Sequence, residues 1–291
     1  MINTRLMKND EIEVVANFIS ELNRVEESHI GYCGVDPLEI AYSLKEDLTD
    51  ITYENSFLIA YDDEGLIGVL GFDADLENQR AEIWGPFVKD GKWDNASCLW
   101  TSMLELLPEE IISLGMFPNK ENHRVLELAE NLSFNRHSDQ TILSFHRSRL
   151  QELEVEQLHE LEEEYFPDII QLHDQSFPET YYSGEQIIDR LNEERKVFIV
   201  KTEGRFSGYI YVEAQPEFGE GSIEFFAVPA SERGKGIGEK LLSAALNWFF
   251  TFESIQSITL SVSSGNRDAI GLYKKVGFEQ IHELCYFTKK I

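Results

Sequence analysis

Apolar and polar positions follow the same programme twice along this chain. Ser56–Phe72 reads as an apolar run, a turn at Glu64-Gly65 and a second apolar run, and Lys196–Val212 repeats that order around Glu203-Gly204. Short apolar runs flanking a glycine predict hairpins, because glycine reaches positive φ without a Cβ clash. Further on, Asn122–Phe134 parallels Asn266–Phe278 at an offset of 144 residues. Each has helical spacing followed by a phenylalanine that opens a strand. An offset of about one domain length points to tandem duplication. The joint is expected near Arg147–Glu156, where the strand-like Thr141–Phe145 gives way to a charged stretch. The expected domains are 1–148 and 149–291. Both are α/β (α+β), with a mixed, mostly antiparallel sheet flanked by helices.

The most informative segment is Ser222–Trp248. Ile223–Val228 is apolar enough for a buried strand, and Pro229 ends its ladder. Arg233-Gly-Lys-Gly-Ile-Gly238 follows, and then Ile237, Leu241, Ala244, Ala245 and Trp248 recur at helical spacing. Strand, glycine-rich turn and helix in that order suit a phosphate. The glycines let backbone N–H groups approach it, and the helix N-terminus adds positive potential. Arg233 and Lys235 add full charges. A nucleotide P-loop would end in Gly-Lys-Ser/Thr, and a dinucleotide loop needs G-x-G-x-x-G in a parallel βαβ unit; neither is present.

Charge narrows the partners. The chain of 291 residues has a formal net charge of −28, and both halves are acidic. Binding of nucleic acid needs a basic face, so it is disfavoured. Residues 151–200 hold 14 acidic against 3 basic side chains, in what reads as two helices around Ser176–Gly184. Most of these carboxylates read as solvated faces, with a minority available to line a site for an amine. Cys33, Cys98 and Cys285 lack metal spacing and read as reduced thiols. The histidines show no ligand spacing, so no metal is expected. His159, His173 and His282 read as surface residues. There is no signal-like apolar core and no run approaching a membrane span, which makes a soluble cytoplasmic protein the expectation.

Val228–Gly238 resembles the acyl-CoA pyrophosphate loop of GCN5-related N-acetyltransferases (GNAT). The downstream Asn266-x-x-Ala269-x-x-Leu272-Tyr273-x-x-x-Gly277-Phe278 resembles a second signature of that family. The clear likeness covers roughly 156–291, and the first half resembles the same fold in degenerate form. The resemblance implies acetyl-CoA as cosubstrate. Backbone groups of Phe226, Ala227 and Val228 would pair with the pantetheine arm. The N–H groups of Arg233, Gly234, Lys235, Gly236, Ile237 and Gly238 would hold the pyrophosphate. Asn266 would contact the arm, and Tyr273 would sit near the sulfur. Strands Ile223–Val228 and Ser257–Val262 would splay to admit the cosubstrate. The helix Arg267–Val276 would end at Gly277, a natural C′ residue.

Acetyl transfer to an amine needs a neutral amine, a donor to the thioester oxygen and a proton for the departing sulfur. Glu224 is the candidate base; strand alternation puts it on the face of Phe226 and Val228. An equal reading is a carboxylate that only orients the substrate or ends a strand. Tyr273 is the candidate acid, and a main-chain N–H near Val228 would polarise the carbonyl. No serine–histidine or cysteine–histidine pair suggests a covalent route. In the first half the strand Ile83–Val88 is followed by a turn whose single glycine is Gly91. Ala129 and Ser133 stand where the second half has Tyr273 and Gly277. That half is expected to be silent in catalysis. The reading is thus an N-acetyltransferase for a primary amine, with a cationic small molecule favoured. A non-catalytic acyl-CoA sensor and a transferase acting on a protein N-terminus are the alternatives. An aminoacyl transferase using charged tRNA fits poorly with the loop and the acidic charge.

Overall fold

The computed structural model describes residues 2–153, 159–178 and 180–291. The chain divides into two compact units, residues 2–140 with 282–291, and residues 141–281.

In the first unit the strands are β1 (Asn3–Leu6), β2 (Phe57–Asp62), β3 (Gly65–Asp75), β4 (Arg80–Val88), β5 (Ser113–Met116) and β6 (Asn135–Arg136). A seventh strand, Phe287–Lys290, comes from the far end of the chain and lies between β5 and β6. The β2–β3 hairpin turns at Gly65, with φ 120°. β4 and β5 pair in parallel only over Arg80–Glu82. The helices are α1 (Ile12–Asn23), α2 (Pro37–Tyr42), α3 (Tyr53–Ser56), α4 (Ala96–Leu104) and α5 (His123–Asn131). Val15 and Ile19 of α1 and Leu99 and Met103 of α4 bury the apolar stripes of their helices in the core of this sheet, Leu99 lying over Gly68.

The second unit holds β7 (Gln140–His146), β8 (His159–Glu160), β9 (Arg195–Thr202), β10 (Arg205–Gln215), β11 (Glu220–Ala227), β12 (Ser257–Ser263) and β13 (Glu279–Leu284). The strand Phe287–Lys290 is therefore β14. These strands form two sheets, ordered β11-β10-β9-β8 and β12-β7-β13. The four-stranded sheet is antiparallel throughout. The helices are α6 (Phe166–Ser176), α7 (Gly184–Asp189), α8 (Ile237–Phe249) and α9 (Arg267–Val276). On α8, Ile237, Leu241, Ala245 and Phe249 are buried against Phe198, Ile210 and Val212 of the sheet. The opposite sheet face carries a second core in which Ile169 of α6 and Ile187 of α7 meet Tyr209, Tyr211 and Phe225. Among the described residues β11 and β12 share no ladder, although they pack close together; this is the splay that the family resemblance implies. Among them, too, no helix is long and apolar enough to cross a membrane.

Candidate active site

The gap beside β11 opens into a cavity of about 910 Å³, lined wholly by residues of the second unit. β11 is the end strand of its sheet, so one row of its backbone groups faces away from β10. An open edge of this kind can accept an extended ligand as one more strand. Phe226, Ala227 and Val228 all line the cavity.

At one end stands the glycine-rich turn. Gly234 and Gly236 have φ near 79° and 78°, a left-handed conformation that side chains rarely adopt. A Cβ at either would meet nothing within 4 Å, so the backbone is open to an incoming group. Gly236 is the N-cap of α8 and no side chain caps that end, which leaves the first N–H groups of the helix available. Uncapped N–H groups and the helix dipole together favour an anion. Gly238 serves packing, since a Cβ there would lie 2.8 Å from Leu272 and 3.1 Å from Phe226. Arg233, Gly234, Gly236, Ile237 and Gly238 line the cavity. Lys235 is absent from the lining and pairs instead with Glu232 at 3.0 Å. Lys275, which sequence reasoning missed, does line the cavity and pairs with Glu239 at 2.6 Å.

Helix α9 forms the opposite wall. Asn266 caps it, its side chain accepting from the Ala269 N–H at 3.2 Å, which fixes the residue at the cavity rim. Gly277 ends the helix with φ 114°, as its composition leads one to expect. Between these ends Tyr273 faces the cavity. Burial pushes its phenol above the ordinary range, so it keeps its proton at working pH. Among the described residues nothing hydrogen-bonds to its hydroxyl, and its ring packs edge-on against Phe278.

Glu224 also lines the cavity, but not as strand alternation predicts. The β10–β11 register slips there: Tyr211 pairs with Phe225 and Val212 with Ile223, so Glu224 is the extra residue of a bulge. Past a bulge, alternation no longer assigns faces. Phe226 and Val228 pack on the α8 side, while Glu224 accepts a hydrogen bond from Tyr181, whose ring lies on Phe225. The histidines need a second correction. His173 is 0 % exposed, its Nδ1 2.5 Å from the Tyr209 hydroxyl and its Nε2 2.8 Å from the Tyr182 carbonyl. His282 is half-buried in the first unit, stacked on His29 with ring centroids 3.8 Å apart. The His159 side chain lies outside the described residues.

Known proteins point the same way. A sequence model of the acetyltransferase (GNAT) family matches residues 155–278. That stretch, which lies within the second unit, matches as a GNAT acetyltransferase domain. Among curated relatives, an N-alpha-acetyltransferase of Sulfurisphaera tokodaii is 28% identical over 130 residues, covering 41% of this chain and 77% of that one. Among solved structures, a GCN5-related N-acetyltransferase from Sphaerobacter thermophilus matches with a TM-score of 0.67 at 13% identity, over 99% of this chain and 95% of that one. A tandem GNAT protein from the clavulanic acid biosynthesis pathway matches with a TM-score of 0.58 at 14% identity, over 100% and 98%. At such identities the structures speak for the fold, and the fold is that of two tandem GNAT-like domains.

In the first unit the corresponding helix keeps its cap and differs at the tyrosine position. Asn122 caps α5 through the Val125 N–H, just as Asn266 caps α9. Ala129, at the position of Tyr273, is 0 % exposed inside the core. Phe177, which lines the cavity, and Tyr181, which donates to Glu224, are residues that the sequence alone did not single out. Their signal was the aromatic density of Phe177, Tyr181 and Tyr182 between two helices.

Proposed function

We propose that the second unit transfers an acetyl group from acetyl-CoA to a primary amine, a cationic small molecule being the favoured acceptor. The observation that carries this reading is one cavity lined by an uncapped helix N-terminus with its glycine turn, by Glu224 and by Tyr273. Acetyl-CoA supplies the activated acyl group. The N–H groups from Arg233 to Gly238 would hold its pyrophosphate, with the Arg233 guanidinium nearby. The open edge at Phe226, Ala227 and Val228 and the side chain of Asn266 would align its arm.

The protein's own groups then manage protons. An ammonium has no lone pair, so Glu224 takes its proton, directly or through water. A main-chain N–H near Val228 donates to the thioester oxygen as charge grows there. Tyr273, protonated through its burial, gives a proton to the departing sulfur. No enzyme nucleophile is needed. The first unit, with Ala129 in place of the tyrosine, takes no part in the chemistry. The three free cysteines fit a reducing, cytoplasmic setting.

Release of free CoA thiol, followed across a panel of primary amines with wild type, Glu224→Gln and Tyr273→Phe, tests the reading. Turnover by wild type and its loss in both variants is expected. Acetyl-CoA binding without turnover of any amine would leave an acyl-CoA sensor. The kinship with an N-alpha-acetyltransferase favours one other acceptor, a protein N-terminus, so unblocked peptides belong in the panel.

A further inference from the structure

Glu224 has a partner that acetyl transfer does not itself require. The Tyr181 hydroxyl donates to its Oε2, and among the described residues Oε1 has no partner. The Tyr181 ring lies 5.0 Å from that of Phe225, and Phe177 lies 5.2 Å from Phe225 on another side. Phe177, Glu224 and Phe225 all line the same end of the cavity. We infer that Tyr181, which stands outside the lining, is a positioning residue: its hydroxyl holds the Glu224 carboxylate at the acceptor end, and its ring backs Phe225, which with Phe177 lines an aromatic receptacle for a primary ammonium carried on an apolar body. This rests on the acyl-transfer reading above and adds to it the class of acceptor.

Three features argue that the contact is built. Tyr181 is 61% exposed, yet the residues that follow it are tethered. His173 Nε2–H donates to the Tyr182 carbonyl at 2.8 Å, and the imidazole is kept in that tautomer by the Tyr209 hydroxyl donating to Nδ1. The Arg190 guanidinium lies 4.1 Å from the centroid of the Tyr182 ring. Ser183 caps α7, and the Gly184 N–H bonds Asp174 at 2.8 Å. Burial and the Glu224 carboxylate push the Tyr181 phenol above its ordinary range, so it stays a donor at any working pH.

The chemistry of the end follows from its contents. A carboxylate with one oxygen engaged and one free can receive an N–H, and the bulge at Glu224 turns it toward the aromatic side. Ring faces attract an ammonium, more strongly once water is excluded. Phe177, Phe225 and Ile223 offer apolar surface, with the Ser176 hydroxyl beside them, so the carbon skeleton next to the amine is mainly apolar too.

The test uses the full chain with phenethylammonium as probe and neutral 2-phenylethanol as its control. Acetyl-CoA affinity, by calorimetry, stays within about twofold of wild type in Tyr181→Phe, which reports an intact donor site. With CoA saturating, phenethylammonium binding weakens about threefold to tenfold in Tyr181→Phe and further in Tyr181→Ala and Glu224→Gln. The alcohol binds wild type and Glu224→Gln alike. In acetyl transfer to phenethylamine, kcat falls about threefold to tenfold in Tyr181→Phe while the KM for acetyl-CoA stays within about twofold, because the carboxylate loses its fixed direction and the donor site does not. Wild-type affinity for phenethylammonium and an unchanged kcat in Tyr181→Phe would overturn the positioning role. Wild type that binds acetyl-CoA but not phenethylammonium would overturn the receptacle. Failure to bind acetyl-CoA would strike the acyl-transfer reading itself, and is seen separately.

Discussion

Tyr273 shows how much one residue can decide. Its helix and the stop at Gly277 were legible from spacing, and its ring lines the cavity. Tyr273→Phe removes one oxygen and leaves the packing on Phe278. We expect kcat to fall about 100-fold or more while acetyl-CoA affinity stays within about twofold. Stopped-time kinetics with calorimetry check this, and equal losses in both quantities would argue for a binding role instead. Glu224 is the opposite case. Its identity as the candidate base was visible, but its direction was not, because a bulge depends on a register that only the paired strand sets. His173 was misread for a related reason: a histidine in an acidic segment looks solvated until a tyrosine from β10 covers it. Replacing it with leucine strands the Tyr182 carbonyl and the Tyr209 hydroxyl, and should cost about 2–4 kcal/mol in denaturant unfolding.

At the scale of elements, hairpins and helices followed from period and punctuation. The Glu-Gly turns close both hairpins, and α8 begins where the glycine run ends. What periodicity cannot give is which strands stay unpaired. The separation of β11 from β12, which makes the cavity, is a property of two sheets and entered the reading only through family likeness. Helix α8 carries both the loop and the core, so the two are separable by mutation. Leu241 is 0 % exposed, and Leu241→Ala should destabilise the protein by about 2–5 kcal/mol without altering the phosphate turn. The check is a lowered unfolding midpoint with acetyl-CoA affinity retained well below that midpoint. Gly238 links the same elements, because any side chain there must displace Leu272 or Phe226.

For the whole molecule, the sequence showed a duplication but not where its last strand belongs. β14 completes the sheet of the first unit between β5 and β6, although it ends the chain. Short polar strands such as Thr288–Lys290 carry no mark of the sheet that will take them. The adjoining His282 stacks on His29, whose imidazole burial pulls down to about 4. The folded state therefore binds fewer protons than the unfolded chain between about pH 4 and 6.5, and stability falls as pH drops through that window. The loss approaches about 3 kcal/mol. Asp73, pushed up to about 6 by burial and neighbouring carboxylates, works in the opposite sense. The informative quantity is thus the difference between wild type and His29→Asn, which should lose stability less steeply than wild type from pH 7 to 4.5. Parallel curves would contradict this.

The central claim is a single acetyl-CoA site, formed by the glycine turn of the second unit. Calorimetry of acetyl-CoA with wild type and Gly236→Glu tests it most directly. The substitution puts a carboxylate at a left-handed position with open space before it, so it meets the phosphate rather than the core. One-to-one binding by wild type, abolished in Gly236→Glu with the circular dichroism spectrum unchanged, is the predicted result. Two equivalents bound would give the first unit a cosubstrate site of its own, and no binding by folded wild type would contradict the account.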